Sequence, residues 1–335
     1  MDTQRLFCLY GIIGRSESVK KFLIITTINP PTKAITEFAK LSDWKVVVVG
    51  DKKTPLNWCV DNVKYLSDQG QLNFKFKLPW NNYVRKMIGY LYAIQNDADT
   101  IAETDDDNIP YEDWGFPEEA KECLIGNGFE NIYKHFSNLF IWPRGFPLHL
   151  TRKYNPIKTT TKNLPVGIWQ GLADQDPDVD AIYRLVGNGS CVFRKRKPFA
   201  LSKGLASPFN SQNTLFKKEM FPLMYLPVTV NQRFADILRG YVAQPIMWAA
   251  GYHLGITQAT VYQERNEHDL MKDFIDELPC YLQSEKAYEI ALKTASKKNS
   301  IHGNLMNVYC ELLNEKIVKE EEINYLCDWL DNIGE

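Results

Sequence analysis

The chain has 335 residues, a formal net charge of −2, and ordinary apolar (44%) and charged (24%) fractions. That balance fits a soluble globular chain and argues against a dedicated nucleic-acid binder, which would carry a basic surface. Seven scattered cysteines with no C-x-x-C spacing argue against a disulfide framework or a structural zinc site. With no apolar run of membrane-spanning length, the expected setting is cytoplasmic, at most peripheral to a membrane.

Residues 1–20 read as an N-terminal extension whose apolar patch is too short to span a bilayer. K-F-L-I-I-T-T-I, at 21–28, is a buried strand closed by Asn29-Pro30-Pro31, after which Thr32 caps a helix running to Lys40. K-V-V-V-V, at 45–49, is a second buried strand ended by Gly50-Asp51. Such continuous apolar runs suit a parallel sheet covered on both faces. Residues 81–97 repeat apolar positions at helical spacing, and 100–104 form a third strand that runs straight into Asp105, Asp106 and Asp107. The order describes an open α/β sheet, whose ligands bind outside the carboxyl ends of the strands. The stretch 140–240 is rich in Pro, Gly and aromatics and poor in helical periods, and T-Q-A-T-V-Y is the last apparent strand. From about Leu278, Lys, Glu, Leu and Ile recur at helical spacing. The expected division is an extension (1–20), a main domain (21–275) and a C-terminal helical module (276–335).

The aspartates carry the chemistry. Three bare carboxylates at the end of a buried strand repel one another unless something positive meets them. A hard divalent cation prefers such oxygen ligands and can in turn grip a diphosphate. A calcium loop is excluded: counted from Asp105, Pro110 and Phe116 stand where that loop needs Gly and Glu. Neither G-x-G-x-x-G nor G-x-x-x-x-G-K-[ST] is present. Arg85 and Lys86, early in the 81–97 helix, are expected to contact phosphate or pair with an aspartate. Arg144 lies in the loop W-P-R-G-F-P-L-H-L-T-R, and arginine recognises phosphates through its bidentate fork. Arg233, Asp236 and Arg239 recur at i, i+3 and i+6, roughly one helical face. A carboxylate between two arginines suits a catalytic base or an acceptor-binding group, with a structural ion-pair ladder as the alternative. His268, among acids in Q-E-R-N-E-H-D-L, follows the last strand and is a possible ligand at the sheet edge.

Together V-V-V-V-G-D-K, T-D-D-D-N-I-P, R-G-F-P-L, G-I-W-Q-G-L-A-D-Q-D-P-D-V-D-A and R-F-A-D-I-L-R-G resemble STELLO-type glycosyltransferases. More distantly they resemble the plant reversibly glycosylated polypeptides, which act as nucleotide-arabinose mutases. The resemblance is recognised over about residues 20–275, and no counterpart is recognised for the helices after about 278. It implies a GT-A fold, a Rossmann-like nucleotide-binding half joined to an acceptor-binding half. It further implies that Asp105 and Asp107 form a D-x-D motif holding Mn2+ or Mg2+ on a nucleotide-diphosphate sugar, with a UDP-sugar the first choice. Thr26, Thr27, Asn29 and Asp51 would line the nucleoside pocket. Arg85, Lys86, Asp106, Arg144 and Arg265 would complete the donor site, and His268 would be a further metal or phosphate ligand. Asp236, with Arg233 beside it, falls at the catalytic or acceptor-binding position, facing a glycan or lipid-linked acceptor. The alternatives are a mutase with a sugar held on Arg144, and a non-catalytic partner in a glycan-synthesis complex. The mutases carry their sugar on an arginine in R-G-Y-P-F-S-L-R; Arg144 matches the first arginine, whereas Arg152 falls one residue beyond the second.

Overall fold

The computed structural model describes residues 19–187, 190–264 and 269–334. The first half follows the expected order: β1 (Lys21–Thr26), α1 (Lys33–Phe38), β2 (Lys45–Val49), β3 (Val63–Leu66), the short α2 (Asp68–Gln71), α3 (Lys86–Gln95) and β4 (Thr100–Asp105). Thr32 caps α1 as its sequence predicts, its hydroxyl accepting from the Ile35 amide at 3.3 Å. Four residues of each of β1, β2 and β4 are buried, because α1 covers one face of the sheet and α3 the other. Gly89 permits the close crossing of α3: a Cβ there would lie 2.4 Å from Ile24 Cγ2 and 2.8 Å from Val49 Cγ2.

The second half holds β5 (Asn108–Pro110), β6 (Glu122–Ile125), β7 (Gly128–Phe129), β8 (Lys158–Thr161), β9 (Val166–Asp174), α4 (Ala181–Val186), β10 (Phe199–Leu201), β11 (Leu205–Ala206), β12 (Asn213–Lys217), α5 (Gln232–Ala249) and β13 (His253–Gln263). Among the described residues the main sheet runs β3-β2-β1-β4-β12-β9-β13-β10-β6-β8, with β5 paired to β13. The parallel sheet expected from the apolar runs is confined to β3-β2-β1-β4. Beyond β4 the sheet is mixed: β12 is antiparallel to both β4 and β9, and β13 runs parallel to β9. The order is thus an open α/β sheet with a second, mixed half.

Four helices close the chain: α6 (Leu270–Asp276), α7 (Leu278–Thr294), α8 (Ile301–Asn314) and α9 (Glu321–Ile333). They pack on α5, α4 and α3, and α7, α8 and α9 share one buried cluster with α5 and α3. No described helix is long and apolar enough to cross a membrane.

Candidate active site

The site follows from register. Thr26 of β1 lies opposite Asp105 of β4, and the carboxyl ends of β1, β2 and β4 open on one side. There the structure holds a cavity of about 480 Å³. Its lining brings together Thr26, Thr27, Asn29, Asp51, Arg85, Asp105, Asp106, Asp107, Arg144, Arg233 and Asp236. These residues come from segments up to 210 positions apart in the chain, so their convergence was not built into the sequence reading. Of the remaining expected residues, Lys86 stands directly behind Asp105, and Arg265 and His268 fall outside the described residues.

The three aspartates have three different surroundings. Asp105 accepts from the Lys86 ammonium at 2.9 Å and from the Tyr83 hydroxyl at 3.1 Å, and its side chain remains one-third exposed to the cavity. Asp106 turns back: it accepts from Thr27 Oγ1 at 2.5 Å and from Asn29 Nδ2 at 3.0 Å, tying the loop after β1 to the end of β4. Asp107 accepts from Gln263 Nε2 at 2.8 Å. Burial, then repulsion from Asp105, push its carboxyl up to about 7. Asp105 is thus paired with the Lys86 cation, whereas among the described residues Asp106 and Asp107 accept only from uncharged donors.

Among the described residues no group of three or more His, Cys, Asp or Glu side chains is gathered for a metal. The donor set that is present still fits a hard cation. Two carboxylates of alternate residues face one cavity, and among the described residues Asp107 is given no cationic partner to relieve its repulsion from Asp105. Asp105 and Asp107 would hold Mn2+ or Mg2+, which would supply charge neutralisation on a leaving diphosphate.

Arg85 and Lys86 are buried rather than laid along a helix surface. The Arg85 guanidinium donates to Gln71 Oε1 and to the Leu78 carbonyl, and it stacks on Trp80 with its carbon 3.4 Å from the ring centre. Lys86 donates to Asp105, to the Thr104 carbonyl at 2.9 Å and to the Tyr83 hydroxyl at 2.7 Å. Phosphate contacts from these two would compete with bonds already made. Asp51 accepts from the amides of Lys52 (2.6 Å) and Asn81 (2.9 Å), which holds the 81–82 turn at the cavity edge.

The three residues of the α5 stripe separate. Arg233 reaches Glu277 at the α6–α7 joint. Asp236 pairs with Arg144, at 2.9 and 3.1 Å. Arg239 points into the core and pairs with the fully buried Glu103. The face is thus not an ion-pair ladder, and Arg239 does not line the cavity. Arg144 is also bound by Asp178, at 2.8 and 2.9 Å. Burial opposes the Arg144 charge, but Asp178 and Asp236 outweigh it and hold the guanidinium well above its ordinary range. Conversely, Arg144 keeps Asp178 below the usual carboxylate range against its burial.

Sequence reasoning missed several lining residues: Asp178, Arg184, Ser211, Gln263, Tyr83 and the exposed Lys53. Asp178 and Arg184 do lie in or beside the D-Q-D-P-D-V-D-A block, so the signal was present without a role attached.

The class that this site and its surroundings define is reached through comparison. Residues 233–335 match the family model of the STELLO glycosyltransferases. The chain is also 25% identical to "Probable glycosyltransferase STELLO1" and 27% identical to "Probable glycosyltransferase STELLO2", both of Arabidopsis thaliana. Each similarity covers 94% of this chain and 44% of the relative, so the chain spans less than half the length of the curated relatives it matches. The resemblance to STELLO-type glycosyltransferases therefore extends across nearly the whole chain. It is not limited to residues 20–275, and the C-terminal helices, for which no counterpart was recognised, lie inside the matched family model.

Proposed function

We propose that this chain is a GT-A-type, cation-dependent glycosyltransferase using a nucleotide-diphosphate sugar, with uridine the first nucleoside to test. The observation that carries the reading is the placement of Asp105 and Asp107 at the carboxyl end of β4, in one cavity with Asp236. The similarity to STELLO glycosyltransferases supports the class of reaction. Thr26, Thr27 and the turn held by Asp51 form the wall against which the nucleoside would rest. Asp105 and Asp107 would hold the cation, whose chemistry there would be charge neutralisation on a departing diphosphate. On the opposite wall Asp236, fixed by Arg144, accepts a hydrogen bond from the acceptor hydroxyl. In an inverting reaction it takes that proton; in a retaining one it orients the acceptor. Glycan and lipid-linked acceptors both present such a hydroxyl.

Self-glycosylation on Arg144 is less well supported. All three nitrogens of its guanidinium donate to carboxylates or a carbonyl, and the charge is stabilised on both sides. A guanidinium locked in its cationic form offers no lone pair to a sugar carbon.

The test is thermal unfolding with UDP, GDP and their common sugar esters, with and without Mn2+. A nucleotide that raises the melting temperature only with Mn2+, and loses that effect in Asp105→Asn with Asp107→Asn, supports the reading. No shift with any of these ligands in the presence of metal sinks it. Unchanged donor turnover in the double variant would instead favour a non-catalytic role for the site.

A further inference from the structure

Three polar contacts link the Asp105 wall of the cavity to the Asp236 wall. The Tyr83 hydroxyl lies 3.1 Å from Asp105 Oδ1 and in short contact with Ser211 Oγ, and Ser211 Oγ lies 3.3 Å from Asp236 Oδ2. Only two hydroxyl protons are available for these three contacts. The Lys86 ammonium cannot supply a third, since it already donates to the Tyr83 oxygen, Asp105 and the Thr104 carbonyl. Ser211 is buried, so solvent does not relieve the shortage at its hydroxyl.

Three arrangements place two hydrogens among three contacts, and the one that sends both to the carboxylates leaves the short Tyr83–Ser211 contact as two oxygens facing each other with no hydrogen between them, so two remain. In one, Tyr83 donates to Asp105 and Ser211 donates to Tyr83, leaving Asp236 without a hydrogen from Ser211. In the other, Tyr83 donates to Ser211 and Ser211 donates to Asp236, leaving Asp105 with Lys86 alone. Passing from one to the other requires two hydroxyl rotations and no transfer of a proton between oxygens.

We propose that Tyr83 and Ser211 form a two-position hydroxyl switch that couples cation occupancy at Asp105 to hydrogen bonding at Asp236. The inference rests on the reading of Asp105 as a cation ligand. Asp105 lone pairs given to a cation would no longer be open to Tyr83, whose phenolic hydrogen would also be disfavoured by the positive charge. The pair then turns toward Asp236. That carboxylate gains a donor on Oδ2 and is fixed for an acceptor hydroxyl once the donor half of the site is loaded. Coupling of this kind is reciprocal, so whatever favours the Ser211–Asp236 bond also favours the cation. Tyr83 and Ser211 are positioning residues in this scheme.

The test is a calorimetric titration of Mn2+ alone into the wild type, Tyr83→Phe, Ser211→Ala and the double variant, each checked for folding by thermal melting. In Ser211→Ala the phenolic hydrogen has only Asp105 to bind, so it competes with the cation and weakens Mn2+ about fivefold or more. Tyr83→Phe removes the competitor and binds Mn2+ at least as tightly as the wild type. In the Tyr83→Phe background, adding Ser211→Ala changes the affinity by less than about twofold. Equal weakening by Ser211→Ala in both backgrounds, or none in either, overturns the switch while leaving the cation reading intact. A wild-type protein that binds no Mn2+ overturns the cation reading and the switch with it. Should Ser211→Ala not fold, Ser211→Cys serves instead, because its thiol is a weak donor.

Discussion

At the scale of single residues, Arg144 shows why this cavity has a fixed shape. It stands between two aspartates from different segments, Asp178 in the turn after β9 and Asp236 on α5. Removing one partner of a buried ion pair leaves the others uncompensated, at a cost of roughly 3–5 kcal/mol. Arg144→Met is therefore expected to lower urea-unfolding stability by that order, and to do so far more than Arg152→Met at an exposed position. Asp180 gives a second residue-scale prediction. Burial, with Glu277 and Asp178 nearby, pushes its carboxyl up to about 6. Its proton is then held more tightly in the folded than in the unfolded chain. The sign follows: its contribution to stability is greatest at low pH, falls between about pH 4 and about pH 6, and is fully lost above. Asp180→Asn keeps a side-chain oxygen for the α4 cap but removes the charge. Its stability relative to the wild type, from urea unfolding, should rise with pH across that window and level off near neutrality. A flat difference would refute the assignment. Neither residue's role was legible beforehand. The arginine and the aspartates were visible, but an ion pair 34 or 92 positions apart in the chain leaves no local pattern.

At the scale of elements, legibility followed burial. β1 and β2 are covered on both faces and nearly every side chain is apolar, so their continuous runs could be read directly, whereas β4 is equally buried but carries Glu103 and Thr104 and offered only the short apolar run before the aspartates. β9 is buried along all nine residues yet was not read as a strand, because it carries Gln170 and Gly171 in mid-run. Gln170 is tolerated there because its amide donates to the Gly171 and Asn213 carbonyls while its oxygen accepts from the Asn210 amide and the Thr214 hydroxyl. Three of those four partners lie about 40 residues downstream, outside any local window. The same reasoning gives an element-scale prediction at α5. A Cβ at Gly240 would come 2.5 Å from the Phe209 carbonyl oxygen, a backbone atom with little freedom to move. Gly240→Ala should therefore displace α5, one turn beyond Asp236, although alanine is the better helix former. The expected outcome is a melting temperature lowered by several degrees and weakened nucleotide-dependent stabilisation. Helix propensity alone predicts the opposite sign for stability, so a rise in melting temperature would show that the contact relaxes freely.

At the scale of the whole molecule, the helices after residue 276 are tied into the half that holds the cavity. Glu322 of α9 is fully buried and accepts from the Tyr225 hydroxyl (2.5 Å), the Val228 amide (2.9 Å), the Thr229 amide (2.7 Å) and the Thr229 hydroxyl (2.6 Å). The segment so held leads into α5, which carries Arg233 and Asp236. Trp329, also fully buried, packs near Phe76 and Tyr90 and donates to the Pro222 carbonyl at 3.1 Å. A chain ending at residue 275 would expose the apolar faces of α3 and α5 and leave the 225–229 donors without their carboxylate. Such a truncation is expected to lose cooperative thermal unfolding and to bind a hydrophobic dye, rather than to yield an intact folded domain. Glu322→Ala makes the same point with one side chain. Stranding several buried donors costs roughly 1–3 kcal/mol each. The variant should therefore melt well below the wild type, while Glu320→Ala, at an exposed position just before the helix, should not. If the 1–275 fragment instead unfolds cooperatively and keeps its nucleotide response, the helical segment is a separable module and Glu322 only docks it. The loss of both properties would mean that the Asp105 side and the Asp236 side of the cavity depend on the same C-terminal helices.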